Sequence, residues 1–332
     1  MKRTRTNWTK KATILLAAIC VALAGLSGFA PPAERDWLLQ VEGAPISRAV
    51  YSYFLSEALK GTQGKPKDLA ALRRDVAARC VEYIAVNSEL RAMEVPVDQV
   101  LKDQVAQQTA FAWRVLGRYY SSIGVDKRTL NAGLAGRAAK DQLFRALYDT
   151  GGKRAVPEAS IEAYFYGNFV ACEGIRVLRT VMREDGEDRL MDTDEAAALR
   201  QTLAEFVEAA NEAGDFYGVA REERFAKALS YAPISVVTVQ KGDADYSDAD
   251  FEQLRKLSPE KITLLNLPGF FLVARGVDMR ESPEEYYLDY RADCLWKLKG
   301  ADYEAALKEL CGKYRADENA AEMERFYQEW KW

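Results

Sequence analysis

A change of period limits this 332-residue chain more than any other feature. From Val50 to Phe169 apolar side chains recur at helical spacing, and from Ile175 they alternate with charged ones. The helical spacing then returns at Ser282 and runs to the end of the chain. A chain with that rhythm is mainly α, with a small α+β domain set between helical parts.

The punctuation divides the helical parts. Leu38–Val41 reads as a short strand and Glu42–Pro45 as a turn. Ser47 is a good N-cap for a helix whose Val50, Tyr51, Phe54 and Leu55 share a face. A second helix spans about 66–94. Val95-Pro96-Val97-Asp98 breaks it and caps a third, to about Ser122. Asp126 caps a fourth, ending at Gly151-Gly152, and Val156-Pro157-Glu158 opens a fifth. In the middle, strands are expected at 175–181, 234–239 and 270–274, with helices at 195–213 and 248–257. Ser282-Pro283-Glu284-Glu285 then restarts helix, with interruptions expected near Gly300 and Gly312.

Composition excludes several function classes. The chain contains no histidine, so no Ser-His-Asp or Cys-His nucleophile and no His-ligated zinc or haem is available. Met1–Lys11 carries five positive charges, and Ala12–Ala30 carries none of either sign. Such a start directs export, either as a signal peptide ending at Ala22-Leu23-Ala24 or as a membrane anchor. Ile19 before Cys20 argues against a lipoprotein site. Without residues 1–30 the net charge falls from −4 to −9, so no nucleic-acid partner is expected. Cys80, Cys172, Cys294 and Cys311 show no metal spacing. They read as buried thiols, with a disulfide among them the alternative. Asp243, Asp245, Asp248 and Asp250 alternate like a calcium loop but lack its glycine and its closing glutamate. Glu184-Asp185 and Glu187-Asp188 read as a solvated turn, and no cofactor or metal is called for.

The order of these pieces resembles the SurA/PrsA-type extracytoplasmic foldases. Val41-Glu42-Gly43-Ala44-Pro45-Ile46-Ser47 is similar to that family's V-N-G-x-x-I-S/T opening. Glu94-Val95-Pro96-Val97 resembles its G-I-x-V helix break, and Ile123-Gly124-Val125-Asp126 its G-I/V-S break. Val156-Pro157-Glu158, with Ile161, Tyr164 and Phe165, resembles the lead into a parvulin-type peptidyl-prolyl isomerase domain. Within that domain Ala213-Gly214-Asp215-Phe216, Lys241-Gly242 with Phe251, and Leu257–Ile262 match family markers.

The resemblance implies four parts: a signal or anchor (1–36), a helical chaperone domain (37–170), a degenerate parvulin-like domain (171–280), and C-terminal helices returning to the helical domain (281–332). It places the parvulin active-site positions at Arg176, Ser235 and Phe271, where the family has histidine, an acid and histidine. Phe251, Phe271 and Tyr246 are then candidates to line a proline pocket, and Tyr51 and Phe54 to line a cradle for unfolded chains. The helical domain's aromatics also include Phe111, Trp113, Tyr119 and Tyr120. The implied function is a chaperone for unfolded or secreted polypeptides, with a domain that lacks efficient isomerase activity. An active histidine-free isomerase and a non-catalytic envelope scaffold are the alternatives.

Overall fold

The computed structural model describes residues 37–60, 66, 68–182, 188–229 and 232–330. The basic and apolar start at 1–36, with its signal or anchor reading, lies outside the described residues, as does most of the charged turn at Glu184–Glu187. The architecture is mainly α with small antiparallel sheets. Chain packing divides it at 155/156 and at 298/299, giving a helical unit (1–155 with 299–332) and a sheet unit (156–298). The helix that leads into the sheet, and the first half of the long C-terminal helix, therefore belong to the sheet unit.

The helical unit begins with β1 (Leu39–Val41) and β2 (Ala44–Ile46), then α1 (Arg48–Ala58), α2 (Leu69–Ala92), α3 (Gln99–Ser122) and α4 (Lys127–Tyr148). Each helix starts where a short polar side chain can satisfy free backbone N–H groups. Ser47, Asp68, Asp98 and Asp126 accept from Val50, Ala71, Val100 and Thr129 respectively. Helices α2 and α3 end in the same way. Val95 N–H reaches back to Leu90 C=O, and Val125 N–H to Tyr120 C=O. The residue before each has positive φ: Gly124 at +77° and Glu94 at +55°. Glu42 (φ +50°) and Gly43 (φ +76°) likewise form the two-residue turn between β1 and β2. The Glu42 carboxylate accepts the Arg315 N–H at 2.6 Å, tying the turn to the C-terminal segment.

That C-terminal segment completes the unit. In β9 (Ala316–Glu318) Asp317 lies opposite Gln40 of β1, giving a sheet of order β2-β1-β9. Helix α11 (Ala320–Glu329) then lays Met323, Phe326, Tyr327 and Trp330 against Val50, Tyr51, Leu55, Val76 and Cys80. The C-terminal segment thus returns to the first described strand.

The sheet unit opens with α5 (Glu158–Asn168), which runs directly into β3 (Phe169–Leu178). The strand starts six residues before its alternating pattern does, because Phe169–Cys172 is buried throughout. A hairpin of β4 (Thr180–Met182) and β5 (Asp188–Leu190) follows, then α6 (Thr193–Ala213), the short α7 (Phe216–Ala220) and α8 (Glu223–Ala228), β6 (Ser235–Gln240), α9 (Asp248–Leu254), β7 (Thr263–Leu267) and β8 (Phe270–Val277). The four longer strands are antiparallel in the order β6-β3-β8-β7. Helices α6 to α8 cover one face through Leu203, Phe206, Phe216 and Phe225, and α9 covers the other through Phe251 and Leu254. Helix α10 (Pro283–Cys311) passes through Gly300 without a break and stops at Gly312. Within the sheet unit its Tyr287 and Tyr290 pack on Phe165, and Arg291 pairs with Glu158 at 2.7 Å. Within the helical unit Tyr303 packs on Phe144, and its hydroxyl donates to Lys140 C=O at 2.8 Å.

Candidate functional site

Strand register decides which side chains of the sheet unit meet. Directly paired residues of an antiparallel sheet share a face, and neighbours along a strand do not. Arg176 pairs with Leu272, and Ser235 pairs with Gly174, two residues from Arg176. Arg176 and Ser235 therefore share the face covered by α9. Phe251 joins them there, packed with Cys172, Phe270 and Leu272. Phe271 pairs with Val177 and lies in the opposite core with Phe206 and Phe225. The β8 residues on the Arg176 face are Phe270, Leu272, Ala274 and Gly276.

On that face the aromatic floor is covered. The Arg176 guanidinium lies 4.1 Å from the Phe270 ring centroid, and its Nη1 donates to Asp245 Oδ2 at 3.2 Å. The Tyr246 ring meets Phe270 edge-on at 6.0 Å, and burial holds its hydroxyl above its usual pKa. Phe251 and Phe270 are each about 1% exposed. The planar guanidinium of Arg176 offers hydrogen-bond donors to a carbonyl. Val237, one strand over on β6, is exposed on the same face.

Asp243 and Asp250, after β6, serve the backbone. Asp243 accepts the Asp245 N–H at 3.1 Å, while Ser247 and Asp250 form a reciprocal cap at the start of α9. Among the described residues no group of three or more acidic or thiol side chains is placed to hold a metal. Cys80, Cys172, Cys294 and Cys311 are free thiols, and the first three are buried. Burial raises the thiol pKa values of Cys172 and Cys294 to about 11, so neither is a nucleophile at neutral pH.

The helical unit holds two aromatic surfaces of opposite character. Tyr51 is fully buried, its ring edge-on to Phe326 and Tyr327 and its hydroxyl 2.9 Å from that of Tyr327. Phe54 is half-buried between the Tyr53 and Tyr83 rings. Tyr51 presents no open face, whereas Phe54 lines a cavity with Tyr53, Glu57, Tyr83 and Arg137. Helix α3 has an open apolar face. It buries one stripe, Val105, Thr109 and Tyr120, and leaves another in solvent. Val100, Phe111, Val115 and Tyr119 on that second stripe are all exposed, Phe111 to 61% and Val115 to 60%. Phe111, Val115 and Tyr119 follow one another at intervals of four residues, so they form one continuous ridge. Leu116 is exposed at its edge, and Arg114 lies 5.5 Å from the Phe111 ring centroid. Val115 and Leu116 had no role in the sequence reading. The signal available there was a helix carrying two apolar stripes where packing needs one.

Among the described residues no helix is long and apolar enough to cross a membrane. No family model matches the chain, and no curated protein matches it. Solved structures of foldase protein PrsA are similar to it. The Streptococcus pneumoniae protein is 11% identical over 83% of this chain and 91% of its own, with a TM-score of 0.39. The Lactococcus lactis protein is 12% identical over 88% and 98%, with a TM-score of 0.39. The Bacillus subtilis protein is 12% identical over 78% and 86%, with a TM-score of 0.28.

Proposed function

We propose that this chain is an extracytoplasmic foldase-like chaperone that binds unfolded or secreted polypeptides through its helical unit. On this reading the sheet unit is a parvulin-type domain without efficient prolyl isomerase activity. Export rests on the basic and apolar start of the sequence, which either stays in the membrane or is cleaved. The observation that carries the reading is the open ridge of Phe111, Val115 and Tyr119 on α3. An exposed apolar face on a soluble helix is what a binder of many sequences needs. Its partner observation is the Arg176 guanidinium 4.1 Å from the Phe270 ring centroid, which occupies the floor that a proline ring would need.

Two assays on the exported chain test the proposal together. Aggregation of three unrelated, chemically denatured proteins is followed by light scattering, and isomerisation of a proline peptide is followed in parallel. The chain is expected to suppress aggregation of all three, to lose that effect in Phe111→Ser/Val115→Ser, and to leave the isomerisation rate near its uncatalysed value. Isomerase activity that is lost in Phe251→Ala would instead establish a histidine-free enzyme. Failure to protect any client, with one stoichiometric co-purifying partner, would make the chain a scaffold.

A further inference from the structure

Charge is unevenly distributed in this acidic protein. Residues 99–148, which make up α3, α4 and their turn, hold eight basic and three acidic side chains, a net of +5 in a chain of net −4. On α3 itself no acid follows Asp103, so the Phe111–Tyr119 ridge carries only Arg114 and Arg118. Both are exposed, and helical spacing puts them on the same side as Phe111 and Val115. Midway along that side stand Gln104, Gln107 and Gln108, all exposed.

We propose that the α3 face selects extended polypeptide segments that combine aromatic or aliphatic side chains with nearby acidic ones. The inference rests on the chaperone reading above and narrows it to a substrate class. The ridge supplies apolar contact, and Arg114 and Arg118 supply charge complementarity, which favours encounter and register more than raw affinity. The glutamine belt points to polypeptide rather than lipid. Each amide both donates and accepts, as the backbone of an extended chain requires, whereas three amides set into hydrocarbon would go unsatisfied.

The test titrates the full chain against three fluorescent peptides with one shared aromatic core, flanked by Glu, Gln or Lys. The Glu-flanked peptide is expected to bind about tenfold tighter than the Lys-flanked one at low salt, with the gap shrinking as salt screens it. In Arg114→Gln/Arg118→Gln the two should converge to within about twofold, while the Gln-flanked peptide keeps its affinity. Equal affinity for all three peptides would overturn the charge preference and leave the chaperone reading standing. A preference that survives the double arginine variant would also overturn it. Binding of none of the peptides overturns both readings. If anionic phosphatidylglycerol vesicles then bind through Phe111, the face serves a membrane instead.

Discussion

Two aromatic stripes in the helical unit have the same sequence signature and opposite surroundings. Tyr51 on α1 meets Phe326, Tyr327 and Trp330 of the returning chain and is sealed. Phe111 on α3 meets solvent. The difference is whether another element arrives to cover the stripe, and that depends on long-range topology. Strand β9 and helix α11 dock on the first stripe because β1 offers an edge to pair with. Spacing tells which residues share a face, but only the fold tells which face is taken.

The largest expected effect breaks the sealed stripe. Tyr327→Ala removes a ring packed in the core and should lower unfolding free energy by ~3–5 kcal/mol, measured by denaturant unfolding of the full chain. Phe111→Ser in the same assay should stay within about 0.5 kcal/mol of the parent. If the two variants lose equal stability, α3 has no free face. A smaller effect probes the packing of α4 on α1. An added Cβ at Gly133 would collide with the Tyr53 ring, so Gly133→Ala should cost about 1–3 kcal/mol.

The helix ends give a gain rather than a loss. Glu94 adopts φ +55° where Gly124 adopts +77° in the same kind of helix stop. Glu94→Gly should therefore stabilise the chain by ~1 kcal/mol, since it removes a left-handed side-chain clash. Glu42→Gly should gain less, because it also removes the bond from the Arg315 N–H. The smallest effect is a pH dependence in the sheet unit. Arg189, then the Asp192 N–H, hold the Glu195 carboxylate down at about 2. A depressed carboxylate stabilises the fold above its unfolded pKa and loses that contribution as pH falls through the folded value. Protection of the amides at the start of α6, measured by hydrogen exchange relative to the unfolded chain at the same pH, should fall between about pH 4.5 and 2. Arg189→Gln should move that change upward in pH, whereas an unmoved profile would separate Glu195 from Arg189.

Much of this fold was legible in local chemistry. Ser47, Asp98 and Asp126 cap the helices their spacing implied, and Gly214 ends α6 at φ +64°. Local rules failed where distant partners decide. Ala316-Asp317-Glu318 is short, charged and exposed, and is a strand only because β1 lies beside it. Gly300 was expected to interrupt a helix that instead runs from Pro283 to Cys311. In the candidate site, Arg176 and Ser235 share a face, and Phe271 is turned away from it. A shift of one residue along a strand flips a side chain to the other face, so Phe270 and Leu272 occupy the side where Phe271 was expected. The exposure of Phe111 and Val115 had no local signature beyond a surplus apolar stripe.

Photo-crosslinking to an unfolded client tests the central claim most directly, with the photoreactive residue at Val115 on α3 or at Val237 on the sheet face that carries Arg176. Both positions are exposed, so neither placement disturbs a core. The account predicts client adducts from position 115 and few from 237. Adducts that form at 237 and not at 115 would contradict it, moving client binding from the helical unit to the sheet unit.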